Sequence, residues 1–365
     1  MSLPAYRSPK YGRLLEEFEP GAVYQHPWDV TVDAGTIAFF QASFLDATPT
    51  YASARYARVL GFRDRPVHPL LLMNLGLSFS VHDVSEQAIA HLAYIDVKFP
   101  EACYAGDSLR AWSTVLGTKK ASEGNRGVAH VRTVLRNERD AVVCQFERKV
   151  LVKAGGKLAE RPMPPPAVLM APEPTRSYPA ELDHGIDTRA LGIGFAGFFE
   201  DFAQGDVICH EVGRTVSEAE HMQLTYLFRN THPLHFEEPY AKTGFAKTRV
   251  VYGGLVFGWI ASLASRDTTG NVVWDLGFDK GAHPSGVVAG DTLYAASKVL
   301  STESLNASFG RVTFKLVGTK NSRPGLLLDN GATLFDDELS KPADAKIPHK
   351  VFEIQRTVLM RKKPR

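Results

Sequence analysis

Two stretches of this 365-residue chain, Leu70–Val81 and Leu255–Ser265, contain no charged residue and are apolar on every side. That pattern predicts two helices buried all round. Polar–apolar alternation follows each of them. Ser108–Leu116 and Thr292–Leu300 read as strands after a Gly-Asp turn, and Val131–Leu135 leads through Asn137–Asp140 into Val142–Val152. Ahead of the second buried helix, Val216–Phe228 predicts a further helix, with Ser217 and Glu220 at capping-box spacing. A buried helix followed by antiparallel strands predicts an α+β unit in which a sheet wraps around a helix.

The unit occurs twice. Glu17-Phe-Glu-Pro-Gly21 returns as Asp201-Phe-Ala-Gln-Gly205, Ala105-Gly-Asp-Ser-Leu109 as Ala289-Gly-Asp-Thr-Leu293, and Tyr56-Ala57 as Tyr240-Ala241, each 184 positions on. In the same register, Asp46-Ala-Thr-Pro-Thr-Tyr51 faces Asn230-Thr-His-Pro-Leu-His235. One offset held over some ninety residues indicates duplication. Near the ends, Phe146–Leu151 matches Ile354–Leu359 at 208 positions, which places 24 extra residues in the second half, between Lys320 and Lys346. The expected organisation is a first repeat over 1–153, a proline-rich linker over 154–185 and a second repeat over 186–365. Two such sheets in one chain would pair into a pseudo-dimer and hide an edge strand.

Composition adds mainly exclusions. With 42 basic and 40 acidic residues the net charge is +2, which argues against nucleic acid as a partner. Cys103, Cys144 and Cys209 are widely spaced and form no metal-ligand pattern, so a reducing, cytoplasmic setting without structural metal is expected. The first ten residues lack a signal-peptide core, and Val250–Ser265 is too short to span a bilayer, so no membrane association is expected. The tail Arg361–Arg365 reads as a solvated end, with a contact to a phosphate as the lesser alternative.

Asn230-Thr-His-Pro-Leu-His235, Val250-Val-Tyr-Gly-Gly254 and Ala289-Gly-Asp-Thr292, in that order, resemble the signature of MaoC-type (R)-specific enoyl-CoA hydratases, whose motif reads Asp-x-Asn-Pro-x-His. Glu218–Gln223, Val251–Gly254 and Thr357–Met360 are similar to segments of the double hot-dog mesaconyl-CoA hydratases, also called β-methylmalyl-CoA dehydratases. The resemblance covers the whole chain. It implies a double hot-dog fold and a hydro-lyase that reversibly hydrates a 2-enoyl-CoA, syn and (R)-selectively. Mesaconyl-CoA or another short branched acyl-CoA is the favoured substrate, and CoA enters only as part of it, with no separate cofactor. An oligomer of the pseudo-dimer is compatible, but the sequence sets no number.

The resemblance assigns His235 as base and acid and puts Asn230 at the family's Asp position. Gly253 or Gly254 becomes the oxyanion donor at a helix N-terminus. Tyr252 either lines the acyl pocket or packs in the interior. Asn230 is an amide and exchanges no proton, so His235 carries the transfer alone or shares it with His232. Carried by His235 alone, the rate would follow one group titrating near neutrality. The bland alternatives are a core histidine bonded to a carbonyl at His235, a loop cap at Asn230, a polar support at His232 and a plain helix start at the glycines. Gly106-Asp107 and Gly290-Asp291 read as turns rather than acids, and Arg229 and Arg249 as solvated surface, with a pair to the distal carboxylate of a dicarboxylic monothioester as the lesser alternative. The first half keeps Asp46 but has Tyr51 at the His235 position and His68-Pro69 at Tyr252-Gly253, so its site is expected to be degenerate. The rival functions are a medium-chain (R)-3-hydroxyacyl-CoA dehydratase, a hot-dog thioesterase, disfavoured because Leu255–Ser265 has no carboxylate, and a silent acyl-CoA-binding protein.

Overall fold

The computed structural model describes residues 9–122, 124–156, 176–183, 197–244 and 246–364. The first half contributes β1 (Val23–Gln25), β2 (Val30–Thr31), β3 (Ala88–Lys98), β4 (Ser108–Lys120), β5 (Arg126–Arg136) and β6 (Val142–Lys153). The second contributes β7 (Val207–Cys209), β8 (Arg214–Thr215), β9 (Val272–Ala282), β10 (Thr292–Ser304), β11 (Phe309–Lys320) and β12 (Lys350–Arg361). They form one twelve-stranded antiparallel sheet in the order β1-β4-β5-β6-β3-β9-β12-β11-β10-β7, with β2 on β4 and β8 on β10. The halves meet where β3 pairs with β9. Each half of the sheet curls around its own apolar helix, Pro69–Phe79 or Gly253–Thr268, and the two helices share one hydrophobic core. This is the expected double hot-dog arrangement.

Several polar clips also repeat at 184 positions. His26 links Asp83, just past the first buried helix, to Ser113 on β4 (2.9 and 2.7 Å). His210 links Asp267 to Ser297 in the same way (2.6 and 3.0 Å). Both histidines and both serines are buried within the fold, so these Asp-His-Ser sets tie helix ends to the sheet.

The details depart from the sequence reading in places. The second buried helix runs on to Thr268 and includes Asp267, while Val81 falls in a π-helical turn, Val81–Ser85. Ser217 precedes the helix Glu218–Leu227 without a side-chain cap, because Glu220 reaches Arg214 instead. The extra segment of the second half lies between β11 and β12 and holds a short helix, Pro324–Asp329, under which Leu327, Leu328 and Leu334 pack on the sheet. Arg361 is no solvated end. It is buried as the last residue of β12 and donates to the Tyr56 hydroxyl and the Asn271 side-chain oxygen. Of the linker, 157–175 and 184–185 lie outside the described residues; in the described part, Leu182 enters the shared hydrophobic core and Glu181 accepts from the Tyr104 hydroxyl.

The β3–β9 seam has a steric requirement. A Cβ at Gly277 would sit 2.1 Å from the Val97 carbonyl oxygen across it. We expect Gly277→Val to destabilise the protein by about 1–3 kcal/mol, read as a lowered unfolding midpoint. An unchanged midpoint would mean the halves do not meet at this strand pair.

Candidate active site at the seam between the halves

A cavity of about 490 Å³ opens where the second half's motif loop lies against the first half's sheet. The loop is shaped locally. Arg229, at φ 65°, ends the preceding helix, and the Asn230 side-chain oxygen then accepts from the His232 N–H (3.0 Å). Pro233 opens a 3-10 turn ending at His235, and the Nδ1 of His232 caps it by accepting from the Leu234 N–H (3.2 Å). With the Asn230 oxygen accepting from that N–H, its amide NH₂ is the remaining donor and acts on the Tyr252 hydroxyl.

His235 Nδ1–H donates to the Val250 carbonyl at 2.8 Å. That bond fixes the neutral tautomer and leaves Nε2 as an acceptor, which has no protein partner among the described residues. His235 lines the cavity wall with its ring 5.5 Å from that of Tyr252 and 5.6 Å from that of His232. Burial, reinforced by the neighbouring His232, pushes the His235 pKa down to about 3. Burial likewise takes His232 and His283 down to about 4 and holds His91 well below the usual range. Against the expectation of a group titrating near neutrality, the half-buried His235 ring is held below its ordinary range, because the protein packed around it disfavours the charged form.

Tyr252 stands at the cap position of the second buried helix and makes no side-chain cap. Its carbonyl accepts from Leu255 and Val256, so the N–H groups of Gly253 and Gly254 precede the helical ladder. Gly253 lines the cavity. Gly254 instead marks the helix crossing, where a Cβ would lie 1.7 Å from Asn74 Oδ1. The Tyr252 hydroxyl is buried, and burial raises its pKa to about 12 although Ser78, Arg148 and Asn230 pull the other way.

The pseudo-symmetric position in the first half is filled. Tyr51, in place of His235, is fully buried and its hydroxyl accepts from the Asp275 N–H at 3.0 Å. Trp274 occupies the position of Ala90, and its ring lies 5.8 Å from that of Tyr51. At the helix start Pro69 has no N–H, and His68 Nδ1 takes that of Leu70 (3.1 Å). Asp46 is buried; burial alone would raise it, but the adjacent His68 (3.5 Å), Arg356 and Thr48 bring it down to about 2.

The sequence reading missed the cavity's other wall, Tyr94, His91 and Arg148 of the first half with His283 of the second. Arg249 is half-buried rather than solvated and pairs with Glu218 and Glu238, and Asp291 is a turn residue held by Lys320 and Asn321.

Comparison with known proteins gives this geometry a lineage. Residues 6–159 match the family model for mesaconyl-CoA hydratase, and residues 201–318 match that of the MaoC like domain. Over 338 residues, 87% of this chain and 96% of the relative, the sequence is 32% identical to a mesaconyl-CoA hydratase from Cereibacter sphaeroides. The chain belongs to the mesaconyl-CoA hydratase family. A β-methylmalyl-CoA dehydratase from Chloroflexus aurantiacus is 29% identical over 85% of this chain and 89% of its own. A MaoC domain protein of known structure from that organism superposes with a TM-score of 0.80 at 27% identity, covering 99% of this chain and all of that one. A double hotdog protein from Mycobacterium tuberculosis, 21% identical, gives 0.74 and shares the fold. Family membership makes the chain a hydro-lyase.

The site's electrostatics can be read by NMR. Because burial lowers its pKa, the His235 ring should keep one nitrogen-15 signature, Nδ1–H with bare Nε2, from pH 8 to pH 5. A titration midpoint inside that window would show the ring to be hydrated and the cavity to be open to solvent.

Proposed function

We propose that this cavity reversibly adds water across the double bond of a short branched 2-enoyl-CoA, with mesaconyl-CoA and β-methylmalyl-CoA as the two ends of the reaction. The supporting observation is the bare Nε2 of His235, which shares a cavity with the uncapped helix start at Gly253.

Hydration needs a base, an acid and a sink for enolate charge. Water sits between His235 Nε2 and the Asn230 amide, donating to the imidazole and accepting from the NH₂. Its oxygen attacks the β-carbon as Nε2 takes the proton. Charge moves to the thioester oxygen, where the Gly253 N–H and the positive end of the buried helix receive it. The imidazolium then returns its proton to the α-carbon. One ring performs both transfers on one face, which makes the addition syn. His232, whose Nδ1 is committed to capping the turn, positions His235. In this proposal the second half is catalytic. The first half retains a degenerate site that completes the cleft, in a cytoplasmic setting suited to three unpaired cysteines. The thioesterase alternative gains nothing from Asp267, which lies at the far end of the helix and is held by His210.

Loss of enoyl-thioester absorbance with mesaconyl-CoA and crotonyl-CoA tests this. We expect His235→Ala to lower kcat by about 10²–10⁴-fold, as loss of a general acid–base does, and Asp46→Asn to stay within a few-fold. The kcat/KM for hydration should show no histidine ionisation between pH 5 and 8, because the free base persists down to about pH 3. Equal losses in the two variants would refute the one-site reading, and release of free CoA would replace hydration with hydrolysis.

A further inference from the structure

The duplication supplies an internal control for one buried charge. Arg148 on β6 and Arg356 on β12 occupy equivalent places, each facing in the neighbouring strand the same position of the repeat, Tyr94 and Phe278 respectively. Arg356 is neutralised inside the protein by Asp275, with bonds of 2.7 and 3.1 Å. The residue 184 positions before Asp275 is His91, and the registers agree: Asp275 faces Val358 as His91 faces Val150. The first half therefore keeps the buried arginine and has lost its carboxylate.

What remains around Arg148 is neutral. It is 3% exposed, donates to the hydroxyls of Ser80 (2.7 Å) and Ser85 (3.4 Å), and its Nε has no partner. Among the described residues no carboxylate pairs with it, and none lines the cavity. His91 beside it is held neutral by burial and by this guanidinium. Burial lowers Arg148 only to about 10, so it stays a cation. A buried cation without a counter-ion is costly, and the cavity it faces is where an anion could reach it.

We propose that Arg148 is the residue that holds the free carboxylate which mesaconyl-CoA carries at the end remote from its thioester. This rests on the hydration reading and assigns to one buried side chain the discrimination between that substrate and an enoyl-CoA without a carboxylate. The planar guanidinium suits a two-point bond to a carboxylate. Tyr252 links the two ends of the site: Arg148 acts on its hydroxyl, and its ring is 5.5 Å from that of His235.

The test compares mesaconyl-CoA with crotonyl-CoA, which lacks the carboxylate. Wild type should prefer mesaconyl-CoA, and Arg148→Met should shrink the ratio of the two kcat/KM values by about 100-fold or more, by loss on mesaconyl-CoA. His91→Asp should do the same by restoring the arrangement of Asp275 with Arg356, and it serves if Arg148→Met fails to fold. In a His235→Ala background, calorimetry should show that adding Arg148→Met weakens binding of mesaconyl-CoA and spares crotonyl-CoA. Equal losses on both thioesters, or an unchanged ratio, would overturn the anchor. If wild type turned over neither thioester while binding still followed Arg148, the hydration reading would fall and the anchor would stand.

Discussion

The antiparallel pairing of β3 with β9 is the constraint on which the site depends. Tyr94 faces Gly281 and Val97 faces Phe278; since Tyr94 and Phe278, like Val97 and Gly281, are repeat equivalents, each pairing is the image of the other. The halves are thus related by a local two-fold. That symmetry carries each motif loop away from its own sheet and onto its neighbour's. Thr50 bonds the Val272 carbonyl of the second half, and Thr231 bonds Glu86 of the first. Neither half holds a complete cleft, because the wall opposite each motif belongs to the other copy.

Two clefts built to one plan have gone opposite ways. In one, Tyr51, Trp274 and the Asp275–Arg356 pair fill the space and satisfy one another, giving a dry, bonded core. In the other, Ala90 and His91 leave room, and polar atoms of Arg148, His232, Tyr252 and Ser78 lack partners. Breaking a buried ion pair by deleting one member costs about 3–5 kcal/mol in proteins generally. A fold with a second, well-packed copy can tolerate such a defect where a ligand is meant to complete it.

Much of this was legible in the sequence. The buried helices announced themselves by lacking any charge, the strands by alternation, and the two-fold by a constant offset. The loop from Asn230 to His235 was readable because Pro and Asx-type residues act locally. What local patterns do not encode is the crossing over of the halves. A pseudo-dimer read from the repeats does not say which strands meet, so in the sequence alone Arg148 is one more residue of a strand and His91 one more polar position. The signal was present all the same: Arg148 aligns with Arg356 in the repeat, while His91 aligns with Asp275. A repeated arginine whose partner changes from acid to imidazole is visible without coordinates, but its meaning requires knowing that β3 and β6 adjoin. The pKa of His235 was beyond reach for the same reason, because burial is a property of the assembled cleft.

The charges of the cleft also bear on how it turns over. Its walls hold one permanent cation and several neutral imidazoles, with no carboxylate among the described lining residues. That balance favours an enolate but opposes the imidazolium that must form on His235 when water is split, since a second positive charge near the Arg148 guanidinium is poorly tolerated. A substrate that brings its own carboxylate to Arg148 removes the conflict. It cancels the resident charge before the transient one appears, so the basicity that His235 lacks in the empty cleft is restored by the molecule on which it acts. Substrate selection and proton transfer then draw on one electrostatic term. An uncharged enoyl thioester would lack the anchor and would also meet a weaker base, so discrimination should fall on kcat as well as on KM.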